Sequence, residues 1–137
     1  MDAVLSFIRH FTEETPRYVV IGEWVFAGDK QPVVADASLI YFSTRLGKLS
    51  GSGFTASIPL LRWLASRTDK KAVVNEKSAW LFICSNNVLK EGIVSNAVSR
   101  GHVLVVNERD EVLGWGMVTG AGITNKLDLG DYLRRER

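Results

Sequence analysis

Two apolar runs, His102–Val106 and Val112–Val118, flank the charged, turn-prone segment Asn107–Glu111. Runs rich in Val and Leu around a short polar break predict an antiparallel hairpin. Gly114 and Gly116 bracket Trp115 in the second run, and glycines inside a strand mark a bend or a close backbone approach. This pattern predicts a strand curled into a small barrel. Ahead of the hairpin, apolar residues at positions 4, 5, 7, 8 and 11 give Ala3–Glu14 a helical stripe, closed by Pro16. Tyr18–Phe26 reads as a strand broken or bent at Gly22, followed by turn chemistry at Ala27–Lys30. Leu39–Phe42 reads as a short strand, Ser43–Leu49 as a single helical turn, and Ser50–Gly53 as a flexible connection. Ile58–Arg67 predicts a helix, with Pro59 in its first turn and Leu60, Leu61 and Leu64 as its stripe.

Asp69-Lys70-Lys71 is the expected boundary, dividing the chain into an α/β unit over residues 1–70 and a second unit over 71–137. Beyond it, Ala72–Val74 reads as a strand, Asn75–Lys77 as a turn and Ala79–Cys84 as a second, strong strand. Asn86 is expected to cap a short helix running to Glu91 and ended by Gly92. Gly120-Ala121-Gly122 turns the chain into a last strand near Ile123–Leu127. Closely spaced short strands with one embedded helix predict an α+β protein ending in a small mixed-sheet barrel. No internal repeat is visible.

Composition narrows the partners. The net charge of the 137 residues is +2, too small to announce a nucleic-acid partner by itself. Up to Lys71 there are 9 Lys and Arg against 7 Asp and Glu, and after it 8 against 8. An anionic partner therefore needs a local patch, and the tail Arg134-Arg135-Glu136-Arg137 is one candidate. No apolar run approaches the ~20 residues of a membrane span. The N-terminus lacks the pattern of a secretion signal, so a soluble, cytoplasmic protein without a membrane partner is expected. The single cysteine, Cys84, lies in an apolar run and reads as a buried, inert thiol.

Catalytic constellations are not apparent. Gly51-Ser52-Gly53-Phe54-Thr55-Ala56 carries the letters of a dinucleotide-binding turn, but no strand feeds it directly and no acid ends a following strand, so it reads as a loop. His10 and His102 lack partners at ligand spacing. Asp128 and Asp131 read as surface ion pairs beside the tail arginines. No cofactor and no metal are expected. Trp80, Trp115 and Tyr132 could stack on bases if exposed, though strand aromatics more often fill cores.

Ser85–Gly92, Gly101-His102-Val103, Val112–Gly116 and Asp128-Leu129-Gly130-Asp131-Tyr132-Leu133-Arg134 resemble a PUA domain. The Asn-x-Val-Leu-Lys-x-Gly stretch and the terminal Asp-Leu-Gly-Asp-Tyr-Leu-Arg are most similar to the Nip-seven family of ribosome-biogenesis proteins. Ahead of Lys71 the likeness is looser, with Ser50–Phe54 in place of a longer, more basic stretch, as in a shortened archaeal-type relative. The resemblance implies a small α/β domain before a PUA barrel and a non-catalytic RNA-binding factor. Its setting would be ribosomal RNA maturation and large-subunit assembly, nucleolar if the source is eukaryotic, with RNA and other assembly proteins as partners. It also implies an RNA face containing Asn87, Lys90, Arg100, Asn125 and Lys126, to which the charge pattern adds Arg134, Arg135 and Arg137. Two rivals are an accessory or specificity subunit of an RNA-modifying enzyme and a protein-docking adaptor. An exposed apolar patch on the RNA face would favour the adaptor.

Overall fold

The computed structural model describes residues 2–28 and 44–135. The expected strand Leu39–Phe42 and the tail residue Arg137 lie outside them. In chain order the elements are α1 (Ala3–Ile8), β1 (Tyr18–Ile21), β2 (Trp24–Ala27), β3 (Arg45–Ser50), β4 (Gly53–Ala56) and α2 (Ile58–Ala65). There follow β5 (Lys71–Val74), α3 (Glu76–Ile83), β6 (Val88–Leu89), a 3-10 turn (Lys90–Gly92) and β7 (Ile93–Asn96). The chain closes with β8 (Gly101–Val106), β9 (Val112–Thr119), β10 (Gly122–Asp128) and α4 (Leu129–Arg135).

Strands β1 to β4 form an antiparallel sheet in chain order. The other six form a mixed sheet, ordered β6-β10-β9-β8-β5-β7, that curls into a half-barrel. Its β5–β8 pair is parallel, Lys71 facing Leu104. The α+β expectation holds, and so does the hairpin of β8 and β9, with Gly101 opposite Val118. Gly114 has φ +154°, and a Cβ there would collide with the Leu127 carbonyl of β10, so only glycine lets the two strands approach.

Several local expectations fail, each because a contact distant in sequence outweighs local preference. Ala79–Cys84 is not a strand but the body of α3. Asn75 caps that helix, its side chain accepting from Ser78 N–H at 2.9 Å. Phe82 is fully buried with Ala79 and Ile83 packed beside it, the spacing of a helical stripe too short to tell from a strand in sequence. Ser85 takes the left-handed conformation, φ 69°, where the helix stops. Asn86 therefore does not start a helix; its amide donates to the Leu81 and Cys84 carbonyls of the helix before it. Val88–Leu89 pairs with β10, leaving one 3-10 turn where a helix was expected. Of the helical turn expected at Ser43–Leu49, the described part is not helical, because Arg45–Ser50 pairs with strands on both sides. Gly51-Ser52 is a tight hairpin turn rather than a flexible connection, and Gly53–Ala56 is a strand. The helix at the N-terminus is shorter than its stripe, ending at Ile8.

Two buried clusters result. One lies inside the half-barrel: Ala72, Val74, Phe82, Val88, Val103, Val105, Leu113, Val118 and Ile123. The other joins Val4, Ile8, Leu61 and Leu64 from the first half to Leu104, Val106, Val112 and Leu127 from the second. Trp115, a strand aromatic, does not fill the barrel interior but is half-buried on this seam, its ring edge-on to Phe7 of α1 at 5.2 Å.

Candidate nucleic-acid interface

One edge of the half-barrel is assembled from the loop after α3, β6, the 3-10 turn, β10 with its bulge, and α4. Polar side chains hold these pieces together. Asn87 Oδ1 accepts from Asn125 N–H at 2.9 Å. The Asn125 amide donates to the carbonyls of Phe82 and Asn86 and to Asp128 Oδ2, at 2.9, 3.2 and 3.1 Å. Asn125 thus acts first as a clamp between β10 and α3. Asp128 is not a surface ion pair: it is 2% exposed, and its Oδ1 accepts from Asp131 N–H at 2.8 Å, starting α4. Asp131 does pair with arginines, Arg134 at 3.7 Å and Arg135 at 3.0 Å. Gly130 seats α4 on α3, since a Cβ would strike the Ile83 carbonyl.

The cations expected on the RNA face divide into groups. Lys90, exposed on the 3-10 turn, lines an open groove of about 450 Å³ with Val94, Asn96, Ser99 and Thr119. Arg100 is exposed and adjoins Ser99 in the chain. Lys126 is exposed at the β10 bulge, between Asn125 and Leu127. It is four residues beyond Gly122, the partner of Leu89, and so roughly 13 Å along the strand from the Lys90 turn. Arg134 joins the Lys126 end, donating to Ser85 Oγ at 3.1 Å. Arg135 departs from both groups and lines a cavity with Trp24, Arg45 and Lys48 of the first sheet. Those three residues were not anticipated from sequence as a site.

The aromatics also separate. Trp80 projects from α3 and is 65% exposed, whereas Tyr132 is half-buried against the shared core. Cys84, expected to be buried, is exposed at the end of α3. His102 is sandwiched between His10, at 3.5 Å between ring centres, and Trp115, at 5.1 Å. Burial first, then the neighbouring His10 and Lys70, hold the His102 pKa below its ordinary value. Among the described residues no group of three or more His, Cys, Asp or Glu could hold a metal ion. No helix among them is long and apolar enough to cross a membrane.

A curled mixed sheet closed by a short helix after its last strand is the architecture of a PUA domain, a class that in general binds RNA. Residues 70–137 match the UPF0113 PUA domain family. The fold of the whole chain is similar to a PUA domain protein from Aeropyrum pernix K1, solved as a tartrate complex. The two are 12% identical, with a TM-score of 0.61 over 96% of this chain and 82% of that one. A conserved PUA domain protein from Thermoplasma acidophilum aligns with a TM-score of 0.60 at 15% identity, over 97% and 91% of the two chains. A hypothetical protein from Pyrococcus horikoshii OT3 aligns at 0.53 and 14% identity, over 82% and 78%. No curated protein matches the chain.

Proposed function

We propose that this protein is a non-catalytic RNA-binding factor of the cytoplasm, or of the nucleolus if its source is a eukaryote. Its role would be in ribosomal RNA maturation and large-subunit assembly. The observation that carries the reading is the PUA fold of residues 70–137, with Lys90 lining an open groove and Lys126 and Arg134 at the other end of β10. The ribosomal setting rests on the likeness to the Nip-seven family in Ser85–Gly92 and Asp128–Arg134. The non-catalytic reading draws on the paired carboxylates, which are committed to capping α4 and to ion pairs with its arginines.

Phosphate contacts release counterions, so each one lost to single-stranded RNA lowers the log–log salt slope by about 0.7. Lys90→Ala and Lys126→Ala are each expected to lower that slope and to weaken unrelated RNA sequences equally. If neither moves the slope, the face is misplaced. In parallel, unmodified ribosomal RNA incubated with the protein should keep its nucleosides unchanged by mass analysis. A new modified nucleoside that depends on Asp128 or Asp131 overturns the non-enzyme reading.

One observation favours the adaptor reading. Leu89 and Val94 flank Lys90 and are 67% and 58% exposed, apolar surface where an RNA face would be polar. Binding that is insensitive to salt and lost in Val94→Ser would support protein docking at that groove instead.

A further inference from the structure

We propose that the cavity between the first sheet and α4 binds one nucleotide unit, with its phosphate on Arg45, Lys48 and Arg135 and its base against Trp24 and Tyr132. This site is separate from the Lys90 groove and does not rest on the RNA-binding reading. The cavity holds about 330 Å³, at the lower end of the ~300–1,000 Å³ of small-ligand sites. Strands β2, β3 and β4 supply one wall, and Leu127 with α4 supplies the other. The ladder shifts register between Val25 and Phe26, and such a bulge re-aims side chains on the bulged strand. Both cations of β3 end over one ring: Arg45 Cζ is 4.6 Å and Lys48 Nζ is 5.2 Å from the centre of the Trp24 indole.

The chemistry selects the ligand. Three cations line a space whose remaining walls are Trp24, Tyr132, the aliphatic Ala56 and Leu127, and the hydroxyl residues Thr55 and Ser57, so a simple anion would leave the apolar part unfilled. A ligand that is anionic at one end and flat and apolar at the other uses both. Arginine forks match phosphate oxygens in pairs, and stacking on an aromatic wall tolerates any base. The acids nearby are already engaged in exposed pairs, Glu23 with Lys48 at 3.6 Å and Asp131 with Arg135 at 3.0 Å. Exposed pairs of this kind are weak, so a phosphate can displace them. The N-terminus of α2, capped by the lining residue Ser57, brings the positive end of an eight-residue helix to the same cavity.

The nucleotide could be free or part of a bound strand, and the experiment separates the two. The full chain, labelled with ¹⁵N, is titrated with AMP, UMP, adenosine, inorganic phosphate and a hexanucleotide RNA. AMP and UMP should bind within about threefold of each other, perturbing the amides of Lys48, Thr55 and Arg135. Adenosine and phosphate should each bind at least tenfold more weakly than AMP. Trp24→Ala and the milder Lys48→Gln should each lower AMP affinity about fivefold or more, and Arg109→Gln at the β8–β9 turn should leave it unchanged. Hexanucleotide affinity that falls with Trp24→Ala identifies a nucleotide of a strand; affinity that does not identifies a free nucleotide. Absence of AMP binding at millimolar concentration overturns the site. So do perturbations confined to Lys90–Asn96, or phosphate binding as tightly as AMP. A chain that binds RNA through Lys90 yet ignores AMP refutes the cavity alone, and one that binds AMP but no RNA refutes the RNA reading alone.

Discussion

The curled sheet has two apolar faces, and they are covered by different parts of the chain. Along β8, Val103 and Val105 point into the half-barrel with Phe82 and Ile123, all from the second half. Leu104 and Val106 point the other way, against Val4, Ile8, Leu61 and Leu64 from the first half. A strand with one solvated face would alternate apolar and polar residues, whereas one buried on both faces reads as an unbroken run, as Val103–Val106 does. The first sheet with α1 and α2 is therefore a cover for the second, and the nucleotide cavity lies along the same seam, drawing on both sheets.

The most severe test of this asymmetry removes the cover. Residues 70–137 alone would expose Leu104, Val106, Val112 and Leu127, all buried in the whole chain. At about 1.5–3 kcal/mol each, roughly 6–12 kcal/mol of burial disappears, comparable to the ~5–15 kcal/mol stability of a whole domain. The fragment is expected to aggregate or to melt without a cooperative transition, read by size-exclusion chromatography and calorimetry. A monomeric fragment with a sharp transition would break the comparison.

Within the intact chain, single truncations should rank the inner core above the seam. Phe82→Ala, at a fully buried site, is expected to lose about 3–5 kcal/mol in urea unfolding. Trp115→Ala should lose about half that, because the indole is only half-buried between Phe7 and His102. Equal losses would mean that the seam is as tightly packed as the barrel interior.

The smallest effect concerns pH. His102, stacked between His10 and Trp115 on the seam, binds its proton less readily in the folded chain than its ordinary pKa of 6.5. Below that value the unfolded chain takes up the proton first. The contribution of neutral His102 is therefore complete above pH 6.5 and is lost as pH falls through the lower folded value. Asp2, also held below its ordinary value of 3.8, acts in a more acidic window and does not overlap. Melting temperature should fall between pH 7 and pH 5, and His102→Phe should flatten the fall. An unchanged slope would show that the stack does not sense protonation.

Much of the second sheet is legible in the amino-acid pattern. The β8–β9 hairpin follows from two Val-rich runs around a polar break, and α2 from Pro59 with a leucine stripe. Both depend on neighbours in sequence, so local preference and tertiary packing agree. The site is less legible, because its residues come from elements far apart. Asn125 bonds Asn87 across 38 positions, and Trp24 shares a cavity with Arg135 from the far end of the chain. An isolated Trp in a strand reading gives no sign that two cations will lie over it.

The sequence by itself determined the α+β class, the β8–β9 hairpin and the second helix, since each is encoded by periodicity and turn chemistry over short spans, while the likeness of the last seventy residues to a PUA domain came from resemblance and not from periodicity. Tertiary structure decided whether ambiguous apolar runs became helix or strand: Ala79–Cys84 coils because Asn75 caps it and Phe82 fits the barrel, and Arg45–Ser50 extends because strands lie on both sides. It also decided that Arg134 and Arg135, adjacent in the chain, reach different surfaces. Successive helical residues are turned about a third of a revolution apart, so only the docking of α4 against α3, through Gly130 and Asp128, fixes which surface each one meets.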